Sequence, residues 1–180
     1  MSRIGLLLLA FALSVWLRTA VGPVQSLTAG LVFAVLLLGL AVAARTRVPV
    51  SKRAVLLGLA GVVLVCLPVS LEHLLAGRPL HASEGFVTWA LVVTVVATAE
   101  EVFLRGTLYD AVESRFGALS AILVGAVCFA LLHVPLYGWY VIPLDLAVGL
   151  VLGGLRQQSG TPAAPAVTHV GADLVGWFLR

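Results

Sequence analysis

Apolar stretches long enough to cross a bilayer follow one another along this chain with very little between them. A spanning helix needs ~20 mostly apolar residues, and candidates fall at about 4–20, 24–44, 54–71, 86–108, 118–136, 139–156 and 163–179. Pro23, Pro49, Pro162 and the run Gly77-Arg78-Pro79 punctuate them as helix breakers should. The most polar stretch, Glu72 to Gly85, is expected to form the main extramembrane loop. Thr107 to Phe116, carrying Asp110, Glu113 and Arg115, reads as a helical end leaving the bilayer. The chain is 61% hydrophobic and 11% charged, with a mean hydropathy of +1.12. A soluble domain carries about a quarter charged residues, and surface-to-volume scaling would leave too much of this apolar surface exposed. Lipid must be the solvent. The expected fold is all-α: a polytopic transmembrane bundle of six to seven helices, with residues 1–180 as a single transmembrane domain. No internal repeat and no linker suited to a second domain is visible.

The formal charge of +3 is not a nucleic-acid signature, because the basic residues form no stripe. It is a topological one. Arg45, Arg47, Lys52 and Arg53 gather between two apolar stretches as a cytoplasmic loop would. Arg3, two crossings earlier, agrees with a cytoplasmic amino terminus, whereas Arg18 and Arg78 fall on the opposite side. The run Ile4 to Leu17 superficially resembles a signal peptide, but further spans follow at once, so an uncleaved first helix is expected. Cys66 and Cys128 lie inside apolar runs with no CxxC neighbour and read as small buried hydrophobes. Gly149, Gly153 and Gly154 give one helix a small-residue face suited to close packing.

Against this background a few polar side chains stand out. A charge near the centre of a spanning helix costs ~2.5–3.5 kcal/mol on insertion scales, so such residues are functional candidates by default. Glu100 and Glu101 directly follow the run Ala90 to Ala99. Glu101 and Arg105 are spaced i,i+4 with the acid first, the favourable order for a helical ion pair. Glu100 is turned ~100° away and lacks that partner. Two adjacent carboxylates in a poorly hydrated site cannot both ionise cheaply; one is held as the anion by arginine, and the other becomes the candidate general base. His133 lies on the next apolar run, where a lone histidine would ordinarily be a core residue. His169 and Asp173 share one face of the last run, again i,i+4. Each motif has a plain structural reading: a helix end at the headgroups, a core imidazole, a local hydrogen bond. Together they point elsewhere. If the chain reverses around Phe116-Gly117, Glu100 and His133 lie at the same depth, and apolar helices gain by gathering polar groups away from lipid.

Glu-Glu-x-x-x-Arg, then Phe-x-x-x-His, then His-x-x-x-Asp on successive helices resembles the CPBP family of intramembrane proteases. That family includes the CAAX prenyl endopeptidases of the Rce type and the bacterial Abi bacteriocin-processing or self-immunity proteins. The resemblance covers about Val87 to Trp177 and leaves 1–80 as variable N-terminal helices. It implies a peptidase in which Glu100 activates a water for attack on the scissile carbonyl. Glu101 and Arg105 would be its supporting ion pair, and His133 would position or polarise the water. His169 and residue 173 would face the developing oxyanion. The family most often has asparagine where this chain has Asp173, and an ionised aspartate would repel an oxyanion. Asp173 is either kept neutral by dry surroundings, or orients His169, or binds a metal; the orienting role is preferred. The family has been regarded both as metalloproteases and as glutamate-type proteases. Glu100, His133, His169 and Asp173 are the candidate ligands for a divalent metal such as zinc, HExxH is absent, and metal-independent water activation is preferred.

The leading expectation is therefore an intramembrane endopeptidase in a prokaryotic plasma membrane, as the short chain suggests. Its substrate would be a peptide or membrane protein, prenylated or not. Two other classes compete with it. A proton- or cation-coupled carrier would also use intramembrane Glu, His and Asp, although no inverted repeat of the usual carrier kind is present. A non-proteolytic, immunity-type membrane protein would keep the site and only bind a peptide.

Overall fold

The computed structural model describes residues 2–23, 26–81 and 84–179. Every regular element among them is helical: α1 (Arg3–Ala20), α2 (Leu27–Ala43), α3 (Lys52–Leu75), α4 (Phe86–Glu101), a π-helical segment (Val102–Leu108), α5 (Tyr109–Tyr137), a short 3-10 turn (Trp139–Val141), α6 (Ile142–Ser159) and α7 (Ala163–Leu179). The first three helices begin in the same way. Ser2, Ser26 and Ser51 each accept a hydrogen bond from the backbone N–H three residues on, at 3.1 Å, satisfying an N-terminal donor that the helix cannot pair itself.

Three differences from the sequence reading have physical causes. The span expected over 86–108 and the one over 118–136 join into one helical run broken only at Gly117, whose φ of 81° and ψ of 168° reverse the chain. A side chain at that φ would be strained, so the reversal expected near Phe116 falls on glycine. The polar stretch from Glu72 is not all loop, because α3 continues to Leu75 despite Pro68; residues 82 and 83 of that stretch lie outside the described residues, as do 24 and 25 at the head of the second expected span. Arg18, expected at the outer end of the first span, is buried within the bundle, whereas Arg78 is exposed and pairs with Glu72 at 3.2 Å.

The molecule is apolar outside and charged within. Val35, Leu64, Leu91 and Leu119 stand out from the bundle, while Arg18, Glu100, Glu101, Arg105 and His169 are buried. An exposed apolar surface of this extent marks contact with something other than water. Among the described residues, four helical runs are long and apolar enough to cross a membrane: Arg3–Ala20, Lys52–Leu75, Phe86–Tyr137 and Trp139–Ser159. At ~1.5 Å per residue, α2 and α7 are slightly shorter than a ~30 Å hydrocarbon layer. The chain is an integral membrane protein.

Small residues set the closest helix contacts. α3 packs against α7, and α5 against α6. A Cβ on Gly58 would meet Val167 Cβ at 2.6 Å and the Ala164 carbonyl at 2.8 Å, and Thr168 Oγ1 crosses the same gap to donate to the Gly58 carbonyl at 2.9 Å. Of the three glycines singled out on α6, two are used this way: a Cβ on Gly149 would meet Ala126 Cα at 2.8 Å, and one on Gly153 would meet Ile122 at 2.8 Å. Nothing lies within 4 Å of a Cβ on Gly154. Replacing Gly149 or Gly153 by alanine should therefore destabilise the bundle by about 1–3 kcal/mol through overpacking. Gly154→Ala should be neutral or stabilising, as helix propensity favours alanine. Thermal unfolding in detergent micelles separates the two cases.

Candidate active site

The site grows from the junction where α4 gives way to the π-helical segment. Glu100 and Glu101 are adjacent in a helix, so they point to different sides and meet different neighbours. Glu101, fully buried, is the hub of a polar cluster: its Oε1 accepts from Arg105 Nη1 at 2.8 Å and lies 3.0 Å from His169 Nδ1. The i,i+4 pairing with Arg105 is the one that the sequence predicts. The sequence also pairs His169 with Asp173, but its Nε2 is 3.7 Å from Asp173 Oδ2, and Glu101 is the nearer partner.

Arg105 ties further elements to this hub. Its Nη2 donates to the Gly149 carbonyl of α6 at 3.1 Å, and its guanidinium lies over the Phe129 ring at 4.9 Å. The wider π-helical turn departs from the i,i+4 ladder, and the Arg105 carbonyl accepts from Arg156 Nε at 2.7 Å. Arg156 in turn donates to Asp110 at 2.7 Å. Phe129, the aromatic of the Phe-x-x-x-His motif, is a wedge. Its ring packs edge-on to both imidazoles, 4.6 Å from His133 and 5.1 Å from His169. Its carbonyl lies 2.9 Å from His133 Nδ1, which leaves Nε2 as that ring's other polar atom.

Glu100 faces away from this cluster into a cavity of about 110 Å³, lined also by Arg18, His133, His169, Asp173 and Tyr137. One ligating atom each from Glu100, His133 and His169 lie within 4.8 Å of one another. Three helices thus bring one atom apiece to one point, with room beside it for several waters. The geometry suits a water held between a carboxylate and imidazoles. It also suits a divalent cation: each imidazole has one ring nitrogen engaged with an oxygen, the usual way in which a ligating histidine is oriented.

Two contributors are absent from the sequence reading. Asp145 of α6 lies 3.6 Å from His133 Nδ1, and its Oδ2 is buried with no hydrogen-bond partner. Arg18 of α1 places Nη1 3.7 Å from Glu100 Oε1. No sequence signal marked Arg18, because packing alone decides which helix lies beside α4. Arg3 and Arg115 line one cavity at the end of the bundle, and Arg18 is as many residues beyond Arg3 as Glu100 is before Arg115. Equal helical rise on antiparallel neighbours brings the two side chains level.

A buried carboxylate hub thus lies beside a small chamber of Glu and His, inside an apolar helix bundle. Residues 82–175 match the family model described as Type II CAAX prenyl endopeptidase Rce1-like. The chain belongs to this family of CAAX-type intramembrane proteases. No curated protein and no solved structure matches it.

Removing Glu101 leaves Arg105 as a buried cation without its acid, and removing Arg105 leaves Glu101 with His169 alone; breaking a buried pair in this way costs about 3–5 kcal/mol. Glu101→Gln and Arg105→Gln should each lower thermal stability in micelles by far more than a surface substitution such as Glu72→Gln.

Proposed function

We propose that the chain is an endopeptidase that hydrolyses a peptide bond of a membrane-associated or lipid-modified substrate, with Glu100 as general base. The observation carrying this reading is the convergence of Glu100, His133 and His169 within 4.8 Å beside a cavity. Glu100 takes a proton from the water while the water oxygen bonds to the carbonyl carbon and the C=O π pair moves onto oxygen. His133 holds the water for that attack. When the tetrahedral adduct collapses, the C–N bond breaks, the proton held by Glu100 passes to the departing nitrogen, and a carboxyl and an amine result. His169 is held through Nδ1 by Glu101 at 3.0 Å and turns Nε2 toward the oxyanion side, while Asp173, 3.7 Å from that nitrogen, orients the ring without bonding to it. Glu101 and Arg105 set the pose of the Glu100 helix.

If a divalent cation is resident, Glu100, His133 and His169 are the residues that would hold it, and it would supply Lewis-acid polarisation of the carbonyl. The proton transfers above are carried by the chain's own groups. The basic loop Arg45 to Arg53 and the amino terminus face the cytoplasm in this reading.

The test uses proteoliposomes and two internally quenched peptides, one with an S-farnesyl cysteine fourth from its carboxyl end and one identical but unprenylated. Glu100→Gln should lower kcat by about 10²–10⁴-fold while circular dichroism and melting in micelles stay unchanged; full cleavage by that variant would remove Glu100 as the base. In a second measurement, dialysis against a zinc chelator should leave the rate within about twofold. A loss restored by added zinc would reassign the two histidines and Glu100 as ligands.

A further inference from the structure

Arg18 lies outside the matched residues 82–175 and outside every motif above, yet its charge sits inside the bundle. The residue is 9% exposed and lies over the Phe33 ring at 5.1 Å. Its Nε and Nη1 are buried and have no hydrogen-bond partner. The same bundle shows what a settled ion pair looks like: Arg105 donates to Glu101 at 2.8 Å. Arg18 approaches Glu100 only to 3.7 Å, too far for a hydrogen bond. Buried N–H donors without a partner are costly, and a small shift of the guanidinium toward the cavity it lines would let an acceptor oxygen there relieve them.

The surroundings say where that oxygen comes from. Arg18 lines the cavity of Glu100, His133 and His169 and also an adjoining chamber of about 280 Å³, whose walls include Val92, Val93, Leu136 and Tyr137. A peptide threaded through both passes the guanidinium beside the attacking water. Among the residues lining the reaction cavity, Arg18 is the guanidinium, a side chain with several N–H donors and no acceptor. Asp173, as a carboxylate, cannot donate.

We propose that Arg18 is a further catalytic residue, donating from α1 to the scissile carbonyl oxygen as negative charge gathers there. This rests on the reading of Glu100 as base. Donors aimed at the oxyanion act where charge develops, in a water-poor site where they count most. They lower the barrier to attack without strengthening ground-state binding in proportion.

The experiment compares Arg18→Met, Arg18→Gln and Arg18→Lys with Glu100→Gln, in proteoliposomes, on whichever of the two quenched peptides the wild type cleaves. Loss of one such donor should lower kcat by about 10²–10³-fold in the Met variant, with KM changed no more than a few-fold and the deficit present across the pH profile. Arg18→Lys should recover part of the rate. Wild-type kcat in the Met and Gln variants beside an inactive Glu100→Gln would overturn the role of Arg18 alone. So would a rise in KM with kcat intact, or a deficit that vanishes at alkaline pH, since the arginine would then only keep Glu100 ionised. Should the Met variant not fold, the Gln variant carries the same comparison. An active Glu100→Gln overturns the base instead, and a wild type that cleaves neither peptide overturns both.

Discussion

Glu101 is buried where no water reaches it, and the rest of the site depends on how that charge is satisfied. A carboxylate in such a place holds only if donors surround it. Arg105 and His169 both meet its Oε1, from the next turn of its own run and from α7, while Oε2 is buried without a hydrogen-bond partner. Arg105 spends its other nitrogen on the Gly149 carbonyl of α6, and Phe129 of α5 closes the face beneath the guanidinium. One anion thereby fixes the mutual positions of four stretches of chain. Buried ion pairs are poor sources of net stability. This one is better understood as a device that fixes geometry, because moving any of these helices would strand a charge.

That rigidity is what lets Glu100 behave differently from its neighbour. The two acids share a helix and a burial level, but their directions differ by about one residue's rotation, ~100°. Glu101 meets fixed donors. Glu100 meets a cavity, two imidazoles and a guanidinium held just beyond bonding distance. Adjacent identical side chains thus acquire distinct surroundings from direction alone. The lipid-facing exterior of leucine and valine keeps bulk water away, so the polar cavity is the local place where a hydrolytic water can reside.

Packing makes the convergence possible. Glycines at 58, 149 and 153 let α3 meet α7 and α6 meet α5 at backbone distance, which carries His169 and the Gly149 carbonyl to the hub. The π-helical segment directs the Arg105 carbonyl to Arg156, joining the site to the polar pair with Asp110 at the next turn. α1 has no recognisable motif, yet Phe11 stacks on Phe103 at 5.6 Å and the same helix delivers Arg18. The N-terminal part of the chain is a component of the site's wall.

Much of this could be read from the chain alone. Runs of apolar residues force helices in lipid, because backbone groups have no other partner there. The i,i+4 spacing of Glu101 and Arg105 makes their pairing a local matter, and the reversal at Gly117 sets Glu100 and His133 at one depth by helical rise alone. Local spacing could not reveal which carboxylate His169 would choose: Asp173 is near in sequence, but α7 turns the ring so that Glu101 is closer. Nor could it expose the π-helical turn, the approach of Asp145, or the arrival of Arg18 from a helix eighty residues earlier in the chain. Those depend on how helices rotate and tilt against one another, which is decided by side-chain packing between segments that the sequence keeps far apart.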